Sequence, residues 1–252
     1  MSYLLQALHH SYPGRTGTVE SLRGVDLRIA QGEQIAILGP SGAGKTSLLR
    51  LCNATLRATR GRLWFDGRDL ASLQRRELRA VRRRIGTISQ HPSLVPSLSV
   101  LQNALCGRLG SWGLLRSLRA LLAPSEADVG RARKALRSVD LEGKAQARAD
   151  ELSGGQQQRV AIARVLVQEP EVVLADEPFA SLDPGLTGQL SELLFEAAKG
   201  RTFIAALHDV QLALRLFRRI VGLRAGRVQF DCAASEVTAE MVAQLYALRA
   251  AG

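Results

Sequence analysis

Residues 35–38, Ile-Ala-Ile-Leu, run straight into Gly39, Pro40, Ser41, Gly42, Ala43, Gly44, Lys45 and Thr46, and residues 44–53 then take on helical character. No other stretch constrains the fold as tightly. Four apolar residues in a row suit a strand buried on both faces, as in a parallel sheet. The glycines let successive backbone N–H groups converge and form an anion nest. The helix that follows brings the positive end of its dipole to the same point. The spacing G-x-x-x-x-G-K-[ST] is that of a phosphate-binding loop. Lys45 supplies a point charge for the β- and γ-phosphates, the Thr46 hydroxyl can ligate Mg²⁺, and Ser47 is placed to reach another phosphate oxygen. Strand, glycine-rich turn and helix in this order predict an α/β fold with nucleotide phosphate at the carboxyl end of a strand.

The rest of the chain fits around that unit. Val25, Leu27 and Ile29 alternate with polar residues before Gln31-Gly32, and Leu63 and Phe65 alternate between Gly61 and Asp66-Gly67, so both segments read as strands. Residues 73–84 read as a helix with six arginines, either a solvated face or a basic contact surface. A short strand is expected at 85–89. From 92 to 168 the pattern is mostly helical, clearest at 114–122 and 131–139, with Pro124 and Gly143 as punctuation. Strand patterns return at 172–175 and 202–207. Residues 220–223 and 227–230 flank Ala225-Gly226 and read as a hairpin. Strands, then helices, then strands predict a helical insertion within one α/β unit.

Composition narrows the class. At 252 residues and 46% apolar, the chain can bury a large core, and with 4% aromatics that core must be aliphatic. The net charge of +11 is nearly all arginine and permits a nucleic-acid or anionic-membrane partner, but no basic tail stands apart from the fold. Cys52, Cys106 and Cys232 are sparse, odd in number and without metal-site spacing, which fits reduced thiols in the cytoplasm. The first six residues lack the basic start and apolar stretch of a secretory signal. Residues 85–107 carry no formal charge, but Gln90, Pro92, Pro96, Gln102 and Asn103 exclude a membrane helix. The expectation is a soluble chain whose link to a membrane runs through a partner.

Two further motifs carry chemistry. Val-Val-Leu-Ala-Asp-Glu, residues 172–177, puts the carboxylates of Asp176 and Glu177 at the end of a buried strand, just before Pro178. Leu152, Ser153, Gly154, Gly155 and Gln156 open a helix, with Ser153 as a natural N-cap and glycines that allow an anion close. That pentapeptide runs on into Gln-Gln-Arg-Val-Ala-Ile-Ala-Arg, about a hundred residues after the phosphate loop.

With both motifs present, the chain resembles the ATP-binding subunits of ABC transporters over nearly its whole length. The resemblance implies a P-loop nucleotide-binding core with an antiparallel β subdomain and an inserted helical subdomain. Residues 1–252 would form one such domain, with 1–91 and 169–252 as core and 92–168 as the helical part. It implies ATP and Mg²⁺ as ligands. Asp176 matches the aspartate that organises Mg²⁺, and Glu177 matches the base that polarises the attacking water. Gln90 matches a glutamine that senses Mg²⁺ and water, and His208 a histidine that contacts the γ-phosphate. Tyr12 matches an aromatic that stacks on adenine. Ser181, Leu182 and Asp183 match a loop that crosses a dimer interface. Ser153, Gly154, Gly155 and Gln156 would bind the γ-phosphate of ATP held by a second copy. Read from the residues alone, Gln90 could be a turn residue, His208 a core histidine and Tyr12 a packing residue.

Within that family, Ala-Leu-Cys-Gly-Arg-Leu-Gly at 104–110 is similar to phosphonate-importer ATPases. Residues 94–103, 112–122, 148–152 and 175–183 also look like that subfamily. Phe179 stands where a small residue is expected, and Asp209 where a polar amide is expected. The resemblance implies transmembrane permease subunits as partners, an extracytoplasmic substrate-binding protein acting indirectly, and a peripheral place on the cytoplasmic face of the inner membrane. No nucleic acid is expected. Two rival readings are an ATPase serving another importer or a lipid-export complex, and a non-transport relative acting on nucleic acid or ribosomes. The latter usually carry two ATP modules or a long coiled coil; this chain has one set of motifs and no long heptad run.

Overall fold

A computed structural model describes residues 2–14, 17–179 and 184–247. In chain order the elements are β1 (Tyr3–Gly14), β2 (Gly17–Ile29), β3 (Gln34–Leu38), α1 (Lys45–Cys52), β4 (Arg60–Phe65), β5 (Arg68–Asp69), α2 (Arg75–Arg83) and β6 (Ile85–Ile88). Then come α3 (Val100–Leu105), α4 (Leu114–Leu122), α5 (Glu126–Ser138), α6 (Gly154–Gln168), β7 (Val172–Asp176) and α7 (Pro184–Ala197). The chain ends with β8 (Thr202–Leu207), α8 (Val210–Leu216), β9 (Arg219–Arg224), β10 (Arg227–Ala233) and α9 (Ala239–Tyr246). It forms two compact units: residues 1–81, 174–177 and 201–252 make one, and 82–173 with 178–200 make the other.

The first unit holds an antiparallel sheet in the order β2-β1-β4-β5. Val25, Leu27 and Ile29 turn inward as their alternation predicts, with Leu63 and Phe65 beside them. The same unit holds β10-β9-β3-β8 and the end of β7. Here β3 runs parallel to both β8 and β9, while β9 and β10 form the expected hairpin through Ala225 and Gly226, both at positive φ. Residues 35–38 are fully buried, as are 203–206, which accounts for their lack of alternation. Arg219 fixes the outer strands: its guanidinium bonds Asp231 through two nitrogens at 2.7 Å each and Glu33 at 2.6 Å.

The second unit packs α3, α5 and α7 around α6. That helix buries Val160, Ile162, Ala163, Val165 and Val167, so it is the unit's central helix. The segment predicted at 131–139 starts earlier, at Glu126, because Ser125 caps it by accepting from the Asp128 amide. Residues 92–99 are not helical, and α3 begins only where Ser99 and Gln102 close a capping box. On α4, Leu114, Leu115, Leu118 and Leu122 face outward. Among the described residues no helix is long and apolar enough to cross a membrane.

Candidate active site

Strand register assembles the site. Leu38 of β3 pairs with Leu207 of β8, so Gly39 and His208 leave the sheet side by side. The backbone is tight at Gly39, where a Cβ would meet the Leu223 carbonyl oxygen at 2.0 Å. Gly44, the N-cap of α1, has φ +106°, and a Cβ there would meet the Ser21 carbonyl oxygen at 2.4 Å. Both positions therefore require glycine. No side chain caps α1 and its first turn has no acidic residue, so nothing on the helix itself offsets its positive end. The hairpin backs the loop, with the Gly226 amide donating to the Ala43 carbonyl at 2.9 Å.

The side chains then converge. Lys45 is 5% exposed and donates to the carbonyls of Gly39 at 2.7 Å and Pro40 at 3.3 Å. Its Nζ also lies 3.4 Å from Glu177 Oε1. The Thr46 hydroxyl donates to Asp176 Oδ1 at 3.2 Å. Tyr12 places its hydroxyl 3.2 Å from Ser47 Oγ and stands edge-on to the His10 ring.

Neighbouring residues on a strand point to opposite faces, yet Asp176 and Glu177 both reach the loop. The reason is a left-handed backbone at Glu177, φ +46°, costing on the order of 1–3 kcal/mol for a residue with a side chain. A bond from the Glu177 amide to the Ala206 carbonyl at 2.9 Å holds it. The turn leaves Glu177 between Lys45 and His208, whose Nδ1 is 3.8 Å from Glu177 Oε2. Burial pushes the Asp176 carboxyl above the usual carboxylate range; the Thr46 hydroxyl opposes this and the neighbouring Glu177 adds to it. Thr46 and Asp176 are hard oxygen donors of the kind Mg²⁺ takes in small number, leaving its other positions to phosphate and water. Among the described residues no group of three or more His, Cys, Asp or Glu could cage a metal, so a cation here fits only as a partner of bound phosphate.

The remaining predicted residues lie in the second unit. Ser153 caps α6 as expected: its hydroxyl accepts from the Gln156 amide at 3.4 Å, and Gln156 Oε1 accepts from the Ser153 amide at 3.2 Å. Gly154 is exposed, with open space where a Cβ would stand. Gln90 follows β6 and is exposed. Ser181, Leu182 and Asp183 lie outside the described residues. Of the two departures from the subfamily pattern, Phe179 is buried, and Asp209 caps α8 by accepting from the Leu212 amide at 2.9 Å. Two residues were not picked out from the sequence. Gln158, 4% exposed, donates to the Pro178 carbonyl at 3.0 Å, and the Tyr246 hydroxyl donates to the His208 carbonyl at 3.0 Å. Gln158 lies in the stretch that continues the pentapeptide but was given no role there, Tyr246 stands in no motif, and only the folded chain brings them to these partners.

A family model described as ABC transporter matches residues 22–180. The chain is 48% identical over 242 residues to the Phosphonates import ATP-binding protein PhnC of Pseudomonas fluorescens, covering 95% of this chain and 89% of that protein. It is 46% identical to the protein of the same name from Pseudomonas putida, covering 92% and 87%. Among solved structures, a dimeric ATP-binding cassette in a post-hydrolysis state, bound to ADP and Pi, superposes with a TM-score of 0.80 at 32% identity, covering 92% of this chain and 98% of that one.

Proposed function

The chain belongs to the ABC transporter family, and from that premise we propose how its residues divide the work of an importer's ATP-hydrolysing subunit. The observation that carries the reading is the meeting of Lys45, Thr46, Asp176, Glu177 and His208 where β3, β7 and β8 end. Backbone amides of residues 39–46 and the Lys45 ammonium bind the β- and γ-phosphates of ATP. Tyr12 stacks on the adenine. Thr46 and Asp176 would hold Mg²⁺, with Gln90 as a further ligand in this reading, and the ion would neutralise phosphate charge. Glu177 accepts a proton from water as the water oxygen attacks the γ-phosphorus. The bond to the β–γ bridging oxygen breaks, and the electron pair leaves with ADP. His208 donates to a γ-phosphate oxygen.

In this reading residues 92–168 act as a helical subdomain of one ATP-binding domain. Two copies form the working dimer: Ser153, Gly154, Gly155 and Gln156 of one chain bind the γ-phosphate held by Lys45 of the other. The chain sits on permease subunits at the cytoplasmic face of the inner membrane, and an extracytoplasmic binding protein delivers cargo to them. The names of the similar Pseudomonas proteins support a phosphonate or a related phosphorus oxyanion as that cargo.

Two experiments test the parts separately. In a strain deleted for the gene, wild type but not Glu177→Gln should restore growth on a phosphonate as sole phosphorus source; equal growth with and without the gene would reject the cargo. Mixing Lys45→Ala with Ser153→Arg chains tests the dimer, because only a mixed pair contains one intact shared site. Recovered hydrolysis on mixing supports the shared site, and a fully active Ser153→Arg protein on its own refutes it.

A further inference from the structure

The last helix of the chain reaches back to the catalytic end of the sheet. Leu245 of α9 is fully buried, and the helix packs on β9. At the end of β9, Arg224 donates to the carbonyls of Gln244 and Ala247, the latter at 2.7 Å, and so grips the carboxyl end of α9. These two contacts fix where Tyr246 points. Its hydroxyl donates to the His208 carbonyl at 3.0 Å. Burial raises the phenol's pKa, and the nearby Gly39 amide pulls against the rise. Register keeps Gly39 close by, because Gly39 and His208 are the residues that follow the paired Leu38 and Leu207. Tyr246 therefore ties the end of α9 to the backbone of the histidine beside Glu177. His208 has a 60% exposed side chain and so little packing of its own to fix it.

We propose that Tyr246 is a positioning residue for ATP hydrolysis, its hydroxyl fixing the His208 backbone beside Glu177. The inference rests on the reading of His208 as a γ-phosphate contact. It makes the end of α9 part of the hydrolytic machinery, although Tyr246 itself touches no reacting atom. Removing one hydroxyl removes the tie and leaves the ring, the Leu245 anchor and the Arg224 grip in place.

The test uses the full chain in four forms: wild type, Tyr246→Phe, His208→Ala and the double variant. Single-turnover hydrolysis with enzyme in excess, ATP affinity and thermal midpoint are measured for each. The hydrolysis rate of Tyr246→Phe should fall roughly 2- to 12-fold, the worth of one hydrogen bond expressed as a rate. Its ATP affinity should match wild type, and its thermal midpoint should fall by no more than a few degrees, about what one hydrogen bond contributes to stability. On the His208→Ala background the same change should cost nothing more. A wild-type rate for Tyr246→Phe while His208→Ala is slow overturns the inference and leaves the reading of the site standing. The same fold-loss on both backgrounds overturns it too, because the hydroxyl would then act elsewhere. A loss accompanied by weaker ATP binding, or by a fall in thermal midpoint well beyond that of one hydrogen bond, overturns it as mere packing. A wild-type rate for His208→Ala instead removes the reading of the site on which the inference stands.

Discussion

Replacing Gly39 by alanine tests whether backbone contact sets the phosphate loop. The new Cβ would stand 2.0 Å from the Leu223 carbonyl oxygen, and real Cβ contacts essentially never fall under 3.0 Å. Loop and carbonyl must therefore separate by about 1 Å or more. Leu223 is fully buried and paired with Val228 within the hairpin, so the loop is the part that yields. Overpacking of this kind costs about 1–3 kcal/mol, against roughly 5–15 kcal/mol for a whole domain, so the variant should fold. Its chemistry should suffer more. Lys45 is bonded to the Gly39 carbonyl at 2.7 Å and moves with it, and a misplacement of about 1 Å costs on the order of 10²-fold in rate. The control is Gly67→Ala, outside the loop, where φ is also positive, at +75°, but nothing lies within 4 Å of the new Cβ. That change should cost only about 1–2 kcal/mol of backbone strain and leave hydrolysis within about tenfold of wild type. The assay is phosphate release at saturating ATP, with far-ultraviolet circular dichroism to verify folding. A folded Gly39→Ala protein hydrolysing ATP within about threefold of wild type would refute the argument from close approach.

Other expectations follow from the same geometry. Glu177→Gln keeps the shape beside Lys45 and removes the base, so hydrolysis should fall about 10²–10⁴-fold while ATP binding persists; near-normal turnover would displace Glu177 from that role. Because the folded state raises the Asp176 pKa, it holds more proton than the unfolded chain between the ordinary value of about 4 and the raised one, and stability is lost as pH climbs through that window. Nucleotide-free Asp176→Asn should therefore melt above wild type at neutral pH, with the gap closing towards pH ~4, and should lose magnesium-dependent hydrolysis; a lower melting point at neutral pH contradicts the sign. Tyr12→Ala should weaken ATP binding roughly 5- to 150-fold if the ring stacks on adenine at about 1–3 kcal/mol. Tyr12→Phe should change little despite losing the bond to Ser47, and equal affinities in all three proteins would make the tyrosine a packing residue.

What the sequence disclosed and what it hid divide along one physical line. Elements whose signal is local were legible: the apolar runs of β3 and β8, the Ala225-Gly226 hairpin, the Ser153 cap and the extent of α4 all appear where the residues place them. The strand β1 was not read, because its alternation breaks. Register shifts interrupt its pairing after Leu5 and again near His9 and His10, and Ala7 takes φ +42°, so the inward-facing residues change phase along the strand. The helix α3 was likewise lost in a mostly helical reading, since six residues are too few to set a period. In the site, motif spacing located the groups that converge where β3, β7 and β8 end, because their spacing is itself the constraint. It could not show that Glu177 turns left-handed to bring its carboxylate beside Lys45, nor that Tyr246 sits against His208. A tie between residues 38 positions apart has no period and no composition; it exists only once α9 packs on β9. Residues of this kind therefore bear on the chemistry through distances that only the folded chain contains, and the Tyr246→Phe and Gly39→Ala substitutions probe those distances from two sides.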